Sequence, residues 1–137
     1  MVLRRRRDAE LPTETPAEYP RQDETRLMRF TRRAWLAANL PCSALLEVDL
    51  ENGRERRIEH GRGRYGGEFT FVPRPGNPAE HGYLLGFVWD SRSGVSSVDL
   101  VDTDRSESPV IARVRLPCRV PFGFHVTWLS ARGVEAA

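Results

Sequence analysis

Three residues carry side chains that could do chemistry together: Glu18, Glu68 and His125, separated by 50 and 57 residues. A neutral imidazole binds a divalent metal through one ring nitrogen, and a carboxylate accepting from the other N–H fixes its tautomer. His125 lies in Pro117-Cys118-Arg119-Val120-Pro121-Phe122-Gly123-Phe124-His125-Val126-Thr127-Trp128, among aromatics and at the start of a short apolar run. A histidine carried this way can be an iron ligand, the end member of a set on the axis of a propeller, or an ordinary half-buried core histidine. That segment alone does not decide between them. Pro117 and Pro121 fix the backbone and remove sheet donors, so a rigid crossing segment is expected there and not a ladder strand.

The elements that would position these residues are short strands. Residues 1–25 are polar, of mixed charge and contain prolines, and read as an exposed, flexible lead-in. Strand-forming sequence fills 26–130, and 131–137 is a tail. The stretch from Arg26 to Ala38 suits either a helix face or a strand. Leu46, Val48 and Leu50 alternate with Glu47 and Asp49, a half-buried strand, and Glu51-Asn52-Gly53 turns the chain into a polar edge strand ending at His60. The four glycines between Gly61 and Gly67 read as a loop. Between Glu68 and Leu116, four strands joined by loops form one antiparallel meander, with the apolar Gly82 to Asp90 run at its centre. Such spacing suits a sandwich, a barrel or propeller blades. Blades repeat about every 40 to 50 residues, close to the intervals between Glu18, Glu68 and His125. In a propeller the strands entered at these points would line the central channel.

Composition excludes several classes. At 137 residues the chain is long enough for one domain with a core. No apolar run approaches the roughly 20 residues of a membrane-spanning helix. Acidic and proline-containing sequence follows the Arg4 to Arg7 cluster where a secretory signal would be apolar, so the cytoplasm is the expected location. All 21 basic residues are arginine, yet net charge is only +2 and the arginines are interleaved with Glu and Asp. No nucleic-acid partner is expected on those grounds. Cys42 and Cys118 lack zinc-type spacing and read as buried free thiols.

Several blocks together resemble the C-terminal part of the carotenoid cleavage oxygenases, the family of carotenoid and lignostilbene dioxygenases. They are Gly-Gly-Glu-Phe-Thr-Phe-Val-Pro-Arg-Pro-Gly at 66–76, Glu-His-Gly-Tyr-Leu-Leu-Gly-Phe-Val-Trp-Asp at 80–90, Ala-Arg-Val-Arg-Leu-Pro at 112–117 and Val-Pro-Phe-Gly-Phe-His at 120–125. The resemblance runs in consistent order from about Glu18 to Leu129. It implies an all-β fold of antiparallel four-stranded meanders, the last one or two blades of a seven-bladed β-propeller. Family members hold one Fe(2+) through four histidines, backed by three glutamates. By position His125 matches the last histidine ligand, Glu68 one of the glutamates and Glu18 another. The implied reaction adds O2 across a polyene or stilbene double bond and gives two carbonyl products, with the apolar substrate held in a tunnel.

The chain departs from the family pattern at four places. Phe69 stands where proline usually follows the glutamate, and Val126 where glycine usually follows the histidine. Glu80-His81 replaces an acidic pair, and Cys118 a frequent histidine. The remaining histidines, His60 and His81, match no family ligand and read as surface residues. One histidine cannot hold Fe(2+) tightly, so the chain reads as the C-terminal portion of such an enzyme, inactive by itself, whose N-terminal blades would lie on another chain. The competing expectation is a non-catalytic β-domain that binds a hydrophobic ligand or a partner strand along an open edge.

Overall fold

Apolar residues recur at alternate positions and are cut into short runs by Gly, Asn and Asp. The computed structural model, which describes residues 13–38, 41–76, 79–123 and 125–131, folds those runs into nine strands and one 3-10 turn. Strands β1 (Ala17–Arg21), β2 (Arg33–Ala38), β3 (Ala44–Asp49) and β4 (Glu55–Glu59) make one antiparallel sheet in chain order. The β3–β4 turn forms because Gly53 takes φ 72° and the Asp49 carboxylate accepts from the Glu51 N–H and the Asn52 side chain.

The second sheet holds β5 (Arg64–Tyr65), β6 (Phe69–Pro73), β7 (Gly82–Asp90), β8 (Ser96–Asp102) and β9 (Val110–Arg115). β7 is central, pairing with β5 and β6 on one side and β8 on the other, with β9 outermost. This is the expected meander, with Gly82–Asp90 at its centre. Past β9 the chain leaves the ladder, and the described part of 117–128 joins no strand, as its two prolines require.

The sheets stack face to face. Trp35, Leu45 and Ile58 of the first pack against Phe69, Phe71, Leu84, Val88 and Val101 of the second. Trp35 and Phe71 stack with ring centroids 5.1 Å apart. Each such large side chain contributes about 1.5–3 kcal/mol on burial, so this shared layer dominates the stability of both sheets. Two charged groups enter it with partners. Glu47 accepts from the Trp35 indole N–H at 3.0 Å, and fully buried Asp99 is held by Arg64 at 3.1 Å and Arg113 at 3.0 Å. Leu36, Ala38, Ala44, Leu46 and Val48 form a second cluster on the opposite face of the first sheet.

Several local expectations change. The ambiguous stretch from Arg26 resolves into the end of a 3-10 turn, Glu24–Arg26, followed after an irregular segment by β2. β1 lies inside the 1–25 stretch read as lead-in, because Ala17 and Tyr19 are half-buried against β2. β3 is buried on both faces through adjacent Leu45 and Leu46, not half-buried. Cys42 is buried as expected but Cys118 is exposed, since the segment carrying it lies outside the sheet.

His60 is the largest correction. It is 2% exposed, its ring stacked on Phe69 at 5.4 Å, where a surface position was expected. It lies two positions after buried Ile58, so the period-two face of β4 carries it inward. A Cβ on Gly66 would lie 2.5 Å from His60 Nε2, so only glycine fits above this ring. His81 does lie at the surface, with Nδ1 2.7 Å from Asp104 Oδ1.

Candidate metal-ligand site around His125

Glu68 immediately precedes β6, at the end of the glycine loop, and its side chain is 4% exposed. A carboxylate at that depth needs partners. Arg21, the last residue of β1, supplies them across the sheets: Nη2 donates to Oε2 at 2.9 Å, and Nε lies 2.8 Å from Oε1. The Nε approach is an ion-pair contact whose N–H is not aligned for a hydrogen bond, so Nη2 makes the directed bond. Burial pushes the Glu68 carboxyl up, but the Arg21 hydrogen bond and charge, the Val126 N–H and His125 together hold it below the ordinary glutamate value. Donating that same hydrogen bond to Glu68 raises Arg21.

The crossing segment brings His125 to this carboxylate. Glu68 Oε2 accepts from the Val126 N–H, and Nδ1 of His125 lies 3.5 Å from Oε1. The Val126 carbonyl in turn accepts from Arg21 Nη2 at 2.7 Å. Residues 47, 58 and 105 apart in sequence thus share one small cluster. The His125 ring is 79% exposed and borders a cavity of about 220 Å³ whose apolar wall includes Phe87, Trp89 and Phe122. Arg119 lies over the Trp89 ring, 4.7 Å from its centroid.

The remaining expected site residue behaves differently. Glu18 is exposed on β1, and among the described residues no hydrogen bond or ion pair joins it to Glu68 or His125. Its charge reaches the Tyr19 hydroxyl and the Cys42 thiol instead. Burial first, and then Glu18, push both of those groups up. Val126, in place of the expected glycine, carries no backbone strain. Among the described residues the non-glycine positions with positive φ are Tyr19, Met28, Cys42, Glu80 and Ser108. Phe69, in place of proline, fills the core against Gly86, where an added Cβ would lie 2.4 Å from its ring.

The donor chemistry fits one metal ligand and its carboxylate partner. A carboxylate facing Nδ1 favours the proton there and leaves Nε2 the lone pair a metal needs. It does not make a complete metal site, because among the described residues no group of three or more His, Cys, Asp or Glu is arranged to hold an ion. Arg21 was not legible as part of the site. Its only sequence signal is adjacency to Glu18-Tyr19-Pro20, and nothing in that spacing points to Glu68.

Two stacked antiparallel sheets, one of four strands and one of five, are consecutive blades of a β-propeller. Comparison with known proteins gives the lineage: this chain belongs to the retinal pigment epithelial membrane protein family, the carotenoid oxygenases, whose pattern matches residues 3–130. It is 41% identical over 137 aligned positions to a carotenoid 9,10(9′,10′)-cleavage dioxygenase of Crocus sativus, covering 86% of this chain and 25% of that protein. A 9-cis-epoxycarotenoid dioxygenase of Arabidopsis thaliana is 40% identical over 89 residues, 65% of this chain and 15% of that protein. The crystal structure of a cobalt-substituted apocarotenoid oxygenase from Synechocystis superposes with TM-score 0.83 at 29% identity, over 89% of this chain and 27% of that one. The chain therefore spans about a quarter or less of the proteins it matches, and its fold is that of blades from their seven-bladed propeller.

Proposed function

We propose that this chain forms the C-terminal portion of an Fe(2+)-dependent dioxygenase that cleaves a double bond of a carotenoid, an apocarotenoid or a stilbene. The observation that carries the reading is the meeting of Glu68 with Nδ1 of His125 at 3.5 Å, within sequence blocks shared with carotenoid dioxygenases. His125 would be one iron ligand, Glu68 the acceptor that orients it, and Glu18 a further carboxylate near the metal. Bound iron would supply the centre at which O2 reacts with the polyene. The protein's own groups do the rest. Glu68 holds the His125 ring in one tautomer, and Arg21 balances the buried charge. Phe87, Trp89 and Phe122 offer the kind of apolar wall that excludes water beside a hydrocarbon substrate. The remaining ligands would come from outside the described residues.

Co(2+) provides the direct test. Added to the purified chain, it should broaden the ring resonances of His125 first, and the effect should vanish in His125→Ala. Broadening confined to His60 or His81 would refute the assignment. Because a single imidazole binds Fe(2+) weakly, the dialysed chain should hold far less than one equivalent of iron, and stoichiometric retention would overturn the expectation that further ligands are needed.

One observation favours the binding reading beside this one. Among the described residues the edge strands β4 and β9 have no partner on their outer sides, and Phe87 and Val114 on the second sheet are 41% and 61% exposed. Open strand edges take up extended segments by β-addition. Concentration-dependent association in sedimentation experiments would support it, and a concentration-independent monomer would not.

A further inference from the structure

Glu68 is shared between two claimants. Its carboxylate meets His125 only at 3.5 Å, whereas Arg21 approaches both oxygens, at 2.8 and 2.9 Å. Arg21 also reaches past the carboxylate. Its Nη2 donates to the Val126 carbonyl at 2.7 Å, while the Val126 N–H donates to Glu68 Oε2. Val126, the residue after His125, thus has both of its backbone polar groups held, the carbonyl by an arginine from the first sheet and the N–H by a glutamate from the entry to the second. Arg21 is anchored in turn by Glu24 of the 3-10 turn. Among the described residues no other hydrogen bond or ion pair fixes the His125 ring, which is 79% exposed and lies in a segment outside the strands.

We propose that Arg21 is a positioning residue for His125: by holding the Glu68 carboxylate and the Val126 peptide in one arrangement, it sets which ring nitrogen of His125 faces the carboxylate. This rests on the reading of His125 as a metal ligand for its use, but not for its geometry. A planar guanidinium with several fixed donors can bridge a carboxylate and a carbonyl at once, which an ammonium does less well. The inference therefore separates Arg21 from a simple counter-ion.

The test uses the metal-free chain, with 15N-labelled histidine observed at about pH 8, where an ordinary imidazole is neutral. His125 should show the Nδ1–H tautomer, and the Val126 amide should exchange slowly for a residue outside the sheets. In Arg21→Met the His125 signal should collapse toward the tautomer mixture of a free imidazole, and Val126 protection should be lost. Arg21→Lys should recover the two signatures only in part. The signals of His60, which reports the core, should stay in place throughout. If His125 and Val126 are unchanged in Arg21→Met, or if Arg21→Lys restores both fully, the positioning role is wrong. Should Arg21→Met unfold because Glu68 is left unpaired, Arg21→Gln combined with Glu68→Gln removes both charges, and the same two signals decide. In the natural chain, an Nδ1–H tautomer at His125 without cobalt broadening of its ring would instead count against the metal-ligand reading and leave Arg21 in its role.

Discussion

Lowering the pH should unfasten this protein at His60 before its carboxylates titrate. The ring is 2% exposed, Nε2 finds no hydrogen-bond partner among the described residues, and burial holds its pKa down from 6.5 to about 4, against a smaller upward pull from Asp99. Since the folded value is depressed, the unfolded chain takes up the proton first. The stability gained from a neutral, buried ring is complete above about pH 6.5 and drains away as pH falls toward 4. At about 1.4 kcal/mol per pH unit the full loss is about 3.5 kcal/mol, of which about 2.5 kcal/mol should be gone by about pH 4.5. Glu68, Asp49 and Asp90, whose values are lowered, lose their contributions further down, as pH falls through their folded values. Urea midpoints at a series of pH values, for the natural chain and His60→Gln, separate the two effects. With an m-value of about 1.5 kcal/mol/M, the natural chain should lose about 2 M in midpoint relative to neutral pH, and the variant far less. Parallel pH profiles for the two proteins would refute the argument, whatever their absolute stabilities.

Two further outcomes test the packing. Gly86→Ala puts a Cβ 2.4 Å from the Phe69 ring and should cost about 1–3 kcal/mol in urea unfolding, a loss that Phe69→Leu in the same chain should largely relieve. A thiol reagent at neutral pH should modify exposed Cys118 at once and Cys42 only on unfolding, because Cys42 is buried and its thiol is pushed up chiefly by burial and further by Glu18. Equal rates at the two cysteines would contradict the burial of Cys42.

The second sheet was legible because its signals agree: Phe69 and Phe71 alternate, Gly82 to Asp90 is apolar on both faces, and turns punctuate the rest. The first sheet was harder. β1 holds only five residues, one of them proline, and draws its stability from pairing with β2, which local composition does not reveal. His60 was misjudged by weighing the polarity of β4 over its period, although Ile58 fixes the face on which it lies. In the site, Glu68 and His125 could be paired through motif resemblance, but the arginine that holds Glu68 and the Val126 carbonyl is a long-range partner set by how the two sheets stack. Glu18 shared the motif evidence without the contact.

The stacking itself has a direction. Leu84, Val88 and Val101 of the second sheet face the first, while Phe87, Val98 and Val114, adjacent across β7, β8 and β9, point the other way. One sheet therefore meets the next head to tail, by two unlike surfaces, and not through a surface that matches itself. Contacts of that kind do not stop at two members. They build a ring when the rotation per member divides a full turn and an open-ended stack when it does not, so the angle set by Trp35 against Phe71 bears on which assembly these blades can join.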